Sequence, residues 1–302
     1  MHQSSRPLIL GFFGMAAALT AATAALAAAQ LPVEQILSRN AAARGGLEAW
    51  RKVTTISLAG QMDANKPMSS RPDYHPPAQA PKGHIAAGAT PPPTAVDPDK
   101  VIELPYRLEM KRPLKTRLEI DVSGKTAVQV YDGVQGAKLR PFLGRDTVEP
   151  YTRVELDLAA TEQELDGPLI DHERKGTKVV LDGVEPVNGS EAYKLKLTYK
   201  NGTVHHLWVD ATSFLDVKMD ATRHIDGKNR PVETYLKNYK SVNGLMFPMT
   251  TETVIPGVPG SSKIVVASVT VNPSLDDSRF KLETTPPKPG AKPGAAKPGA
   301  KP

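Results

Sequence analysis

The sequence has no cysteine. That excludes disulfide staples, and it excludes a lipid-modified cysteine following a leader. Catalytic signatures are missing as well. There is no His-Glu-x-x-His helix, no Gly-x-Ser-x-Gly elbow, no phosphate loop and no dinucleotide-type glycine pattern. Asp171-His172-Glu173 has the composition of an acid/base cluster, but it follows Gly167-Pro168 in a loop-like stretch where solvated charges account for it. Asp276-Asp277 reads as the start of a turn or short helix. No site with assigned chemical roles can be assembled, so the sequence points away from an enzyme, and no cofactor is expected. A basic surface patch is also lacking. The formal charge of +6 falls to +1 once Arg6 and the tail residues Lys288, Lys292, Lys297 and Lys301 are set aside. A nucleic-acid binder would carry its positive charge on the folded body, so no nucleic-acid partner is expected.

What is present falls into three parts. Residues 1–29 have a charge at Arg6, an apolar run from Leu8 to Leu26 and Ala-x-Ala spacing at Ala25, Ala27 and Ala29. This is the pattern of a secretory leader cleaved near Gln30, which would deliver the chain to the periplasm. The alternative is a retained membrane anchor, although alanine and threonine are weakly suited to a span. Residues 30–285 form the folded body. Within it, 65–99 carries nine prolines and few large apolar residues, the composition of a mobile insertion that buries too little to offset its ordering entropy. Its His75 and His84 are a weak metal signal. Residues 286–302 repeat Lys-Pro-Gly-Ala, an extended disordered tail reaching roughly 50 Å at about 3.1 Å per residue. The tail is either a solubilising spacer or a peripheral tether to an anionic membrane surface.

The body reads as mainly β. Asn-Gly or Asp-Gly pairs recur at 132–133, 166–167, 182–183, 188–189, 201–202, 226–227 and 243–244, and such pairs tolerate the positive φ of tight turns. The runs between them alternate. Ile102, Leu104, Tyr106, Leu108 and Met110 share one face, as do Leu114, Leu118, Ile120 and Val122, with charged residues opposite. Further strands fit 54–62, 125–131, 134–140, 178–182, 192–199, 203–209, 214–222, 232–240, 247–255 and 263–271. Helix is scarce. One starts at Pro32 and stops at Gly45-Gly46, with Ile36, Leu37 and Ala41 as its apolar stripe, and a second fits 157–165. The fold class expected is mainly β (α+β), one strongly curved antiparallel sheet of about 11 strands whose apolar face is covered by helices.

The stretch NGTVHHLWVD, 201–210, places two histidines side by side. With Asn201-Gly202 taken as a two-residue hairpin turn, Leu197 faces His206 and Leu195 faces Trp208. His206 and Trp208 then share the apolar face with Leu195 and Leu197, while His205 joins Lys194, Lys196 and Thr198 opposite. Adjacent strand residues point to opposite faces, so the pair cannot chelate one ion and no metal site is expected. His206 is then either a hydrogen-bonded core histidine or a polar group inside an apolar concavity, and Trp208 either core or ligand platform.

The stretches AAARGGLEAWRKVTTISLAG, PYRLEMKRPLKTRLEIDVSGKTAVQVYDGVQG, DGPLID, GVEPVNGSEAYKLKLTYKNG, WVDATSFLDVKM and YKSVNGLMFPM follow one another in an order that resembles the LolA/LolB-like superfamily, the outer-membrane lipoprotein-sorting proteins. The likeness spans nearly all of 33–283 apart from the insertion. It implies an incomplete antiparallel barrel lidded by helices, whose cavity in the family's carriers holds lipoprotein acyl chains. A periplasmic carrier or chaperone for lipid or an acylated lipoprotein is therefore expected. The apolar strand faces supply the candidate lining: Tyr106, Leu108, Leu118, Leu195, Leu197, His206 and Trp208. The alternative is an envelope sensor or adaptor that binds a protein partner through the insertion and tail. The concave face is either open or filled by the protein's own helices.

Overall fold

In the computed structural model the described residues are 31–63, 102–162, 164–225, 228–258 and 260–283. The expected leader, the 65–99 insertion and the 286–302 tail lie outside them. All strands among the described residues belong to one antiparallel sheet of 13. The first six are β1 (Thr55–Asp63), β2 (Glu103–Lys111), β3 (Lys115–Val122), β4 (Lys125–Tyr131), β5 (Gly136–Arg140) and β6 (Arg145–Pro150). After a crossover come β7 (Lys178–Val187), β8 (Ser190–Thr198), β9 (Val204–Asp210) and β10 (Asp216–Ile225). The last three are β11 (Lys228–Val242), β12 (Leu245–Val254) and β13 (Ser262–Val271).

Each set is a hairpin meander, and the two meet where β1 pairs with β13. The sheet edges are therefore β6 and β7, adjacent in sequence and farthest apart in the sheet. Residues 151–177 connect them, including α3 (Arg153–Glu162). The sheet is open rather than closed, an incomplete barrel with helices, as expected. It has two more strands than the eleven or so expected.

Helix α1 (Val33–Ala43) follows Pro32, the N-cap, whose carbonyl accepts from the Gln35 and Ile36 amides. Its Ile36 is wholly buried against Leu169, Leu195, Leu197 and Leu207, which contributes roughly 1.5–3 kcal/mol. The short α2 (Leu47–Arg51) follows directly and seats Trp50 against Phe247 (ring centroids 5.4 Å apart), Ile56 and Met249. Between the helices Gly45 has φ 110°, and a Cβ there would lie 2.3 Å from the Gly244 carbonyl oxygen. The chain passes so close to the β11–β12 turn that only glycine fits.

Two buried polar contacts fix α1 to the sheet. Asn40 donates from Nδ2 to the Phe214 carbonyl and to Asp216 Oδ1, both at 2.8 Å. Arg44 lies over the Trp50 ring at 4.7 Å, approaches Asp216 at 3.9 Å and donates to the Asp166 carbonyl. Burial raises the Asp216 pKa, against the opposing pull of Arg44 and Asn40.

On the convex side the chain after β13 runs back across β1–β4 as a strap. Arg279 forks onto buried Glu109 at 2.7 and 2.9 Å, and Asp277 receives Lys111 and Lys115 at 2.8 and 2.7 Å. Phe280 is buried, and Leu282 covers Val128 and Val130. Asp276 caps the 3-10 turn Asp277–Phe280 by accepting from the Ser278 amide, as its sequence position suggested.

Candidate ligand-binding groove

Register decides what lines the concave face. Tyr106 pairs with Ile120 and Leu108 with Leu118. The alternation read from the sequence therefore places Tyr106, Leu108, Met110, Leu118 and Ile120 on one surface. All five are only partly buried. Across the same surface lies the 151–162 segment. Thr152 and Glu155 form a capping box: the Thr152 hydroxyl accepts from the Glu155 amide, and Glu155 Oε2 accepts from the Thr152 amide at 2.7 Å. This box starts α3 at Arg153, four residues before the expected helix. Lys138 reaches from β5 to Glu155 and Ala159 is buried, so α3 is fastened to the sheet.

Two recesses remain beneath this cover. A smaller one of about 210 Å³ is lined by Tyr106, Leu108, Met110, Thr116, Leu118, Gln129 and Tyr151. Tyr151 lies against Gly136 so closely that a Cβ there would fall 2.1 Å from its ring. Burial alone pushes the Tyr106 phenol well above its ordinary pKa. The larger recess, about 880 Å³, opens between the β2–β3 turn (Arg112, Pro113, Leu114), α3 (Asp157, Ala160), Tyr199 and the β8–β9 turn (Lys200, Asn201). Leu114 lines the larger recess, and Thr116 and Leu118, on the same face of β3, line the smaller one, so the two recesses are neighbours at the start of β3.

A charged wall closes one side of the larger recess. Buried Asp166 accepts from Arg112 and Lys175, each at 2.7 Å, and Lys175 also reaches Glu164 at 2.9 Å and the Gly167 carbonyl at 2.6 Å. Arg112 ties the wall to α2 through the Trp50 carbonyl and to the segment after it through the Val53 carbonyl. Burial raises the Glu164 pKa despite Lys175.

The other candidate residues lie elsewhere. Leu195 and Leu197 are on the concave face, but α1 fills the space over them and neither has any exposure. His206 and Trp208 are on the opposite, convex face, which corrects the expected register. Tyr199 pairs with Thr203, leaving the three residues Lys200, Asn201 and Gly202 in the turn, so Leu197 faces His205 and Lys196 faces His206. One added turn residue moves every side chain of β9 to the other face. His205 is consequently buried, edge-on to Tyr199 at 5.3 Å. His206 sits 2.8 Å from Asp220 and 3.7 Å from Asp182. Trp208 donates to Glu185 at 2.6 Å beneath Lys194 and Lys218.

Asp171 is held by Arg51, and His172 Nδ1 lies 3.0 Å from the Thr177 carbonyl. Among the described residues no three His, Cys, Asp or Glu side chains are grouped to hold a metal, and no helix is long and apolar enough to cross a membrane. The charged wall does not stand out in the sequence, since its residues come from three separate segments. The Asp166-Gly167 turn signal was its one local trace.

An open antiparallel sheet curved over covering helices defines a LolA-like fold. Among solved structures, a LolA superfamily protein from Nitrosomonas europaea matches with a TM-score of 0.50 at 12% identity, over 83% of this chain and 98% of its own. A DUF1329 family protein from Desulfovibrio piger follows at 0.49 and 15%, over 83% and 97%. A Vibrio parahaemolyticus domain named for outer membrane lipoprotein sorting gives 0.48 and 11%, over 82% and 94%. At these identities the likeness is one of fold. No protein-family model and no curated protein matches the sequence.

Proposed function

We propose that this is an exported envelope protein that carries a hydrophobic ligand, a lipid or the acyl chains of a lipoprotein, in the groove along β3. The observation that supports the reading is the partly exposed apolar floor of Tyr106, Leu108 and Leu118 beneath Tyr151, next to a recess of about 880 Å³ that Leu114 and α3 line. That volume lies within the roughly 300–1,000 Å³ of small-molecule sites. Elsewhere the concave face is packed by α1 and α2, so the groove is where an acyl chain would meet apolar surface without first displacing a helix.

The test is native mass spectrometry with lipid extraction on protein purified from its own envelope, for the natural chain and for Leu118→Glu. Leu118 is only partly buried, so the charge should leave the fold intact by circular dichroism. The expected result is a stoichiometric lipid or acylated peptide on the natural chain, absent from the variant. A folded variant that keeps its ligand would sink the groove assignment. A ligand-free natural chain that does not change on adding lipids would move the reading to a protein-binding adaptor.

A further inference from the structure

The sheet ends at β7, whose ladder partner among the described residues is β8 alone. Alternate residues of β7 therefore turn their N–H and C=O groups away from the sheet, a template for another strand. The other edge, β6, is blunted by an irregular register and by Pro150 at its end. Strand β7 is blunted over only half its length. A bulge at Asp182-Gly183, with Gly183 at φ 139°, and Pro186 protect its second half. Residues 178–181 carry no such device, and Asp182 closes this stretch where the bulge begins.

Residues 178 to 182 match their own reverse. Lys178, Val180 and Asp182 lie on the convex face, where Val180 is 38% exposed. Val179 and Leu181 point to the concave side, with the cluster beneath α1. A two-fold axis through Val180 would set Lys178 opposite Asp182 of a second copy, Val179 opposite Leu181, and Val180 opposite itself. Moving the axis by one residue loses this match, pairing Asp182 with Val180 or Lys178 with Val180. Among the described residues Lys178 has no ion-pair partner. Asp182 has only long contacts, 3.8 Å to Lys194 and 3.7 Å to His206, and its side chain is 43% exposed.

We propose that two copies of this chain associate edge to edge through antiparallel pairing of residues 178–182, centred on Val180, with Lys178 and Asp182 exchanged across the two-fold axis. The contact is isologous, so it closes at two copies. It is also short, so the dimer should populate at high protein concentration and weaken with salt. This inference does not depend on the ligand reading.

Sedimentation velocity of the full chain over a concentration series tests it. The natural chain should show reversible dimerisation. Lys178→Asp and Asp182→Lys should each raise the dissociation constant about tenfold, because two like-charge pairs are created per dimer. The double variant K178D/D182K should return to the natural value, since the exchanged charges match again. Both positions are exposed, so the swaps leave the core untouched. A chain that stays monomeric at every concentration, or a double variant as weak as the single ones, overturns the proposal.

Discussion

Replacing Asn40 by leucine tests the attachment of α1. The amide side chain is wholly buried and its two donated bonds, both 2.8 Å, satisfy the Phe214 carbonyl and the Asp216 carboxylate. Leucine fills similar space and donates nothing. A buried acceptor left without its donor costs about 1–3 kcal/mol, with the charged one at the upper end, so Asn40→Leu should lose roughly 2–5 kcal/mol. That is a large fraction of the 5–15 kcal/mol typical of a folded domain.

Urea unfolding gives the loss directly, provided the slope is unchanged. The same substitution in an Asp216→Asn background should cost about half as much, because the remaining acceptor is neutral. An apolar dye should brighten on Asn40→Leu, since Leu195 and Leu197 lose cover when α1 loosens. A loss below about 1 kcal/mol, or the same loss in both backgrounds, would refute the anchoring argument.

Acid should release the convex strap. Lys111 and then Lys115 lower the Asp277 pKa from 3.8 to about 2. A carboxylate lowered in this way contributes fully above pH 4, and that contribution drains away as pH falls towards 2. Unfolding measured at pH 5 and pH 2.5 should show a smaller acid loss for Asp277→Asn than for the natural chain. Trp208→Phe removes the bond to Glu185 and weakens the stacking of Lys194 and Lys218. It should cost about 1–3 kcal/mol while leaving any ligand in the groove in place, because the residue lies on the far face of the sheet. A lost ligand would contradict that placement.

The floor of the groove was legible because alternation within a strand does not depend on its turns. Leu104 to Met110 and Leu118 to Ile120 declare a common face whatever joins them. The histidine pair was not, because its face hung on one residue in a hairpin turn. The signal that would have corrected it is in the strand itself: His205, Leu207 and Val209 alternate in step with Leu195 and Leu197, whereas His206 falls in step with Lys194 and Lys196. The start of α3 was hidden in the Thr152–Glu155 capping box, a four-residue pattern with no apolar run behind it. Which part of the concave face is filled rests on contacts such as Asn40 with Asp216, 176 positions apart. No local pattern reports a contact at that range.

The junction of β1 with β13 has a consequence for the chain's synthesis. Ile56 and Val271 are partners, so the seam between the two meanders forms only after nearly the whole folded body has been made. Until β13 arrives, one side of β1 is an open edge of unpaired amides and carbonyls, the kind of surface on which unfinished β-proteins aggregate. Its sequence softens the hazard, for Ser57, Gly60 and Gln61 interrupt the apolar character of that strand. The newborn chain thus spends its most exposed interval with a polar-broken edge, waiting for a strand from its far end.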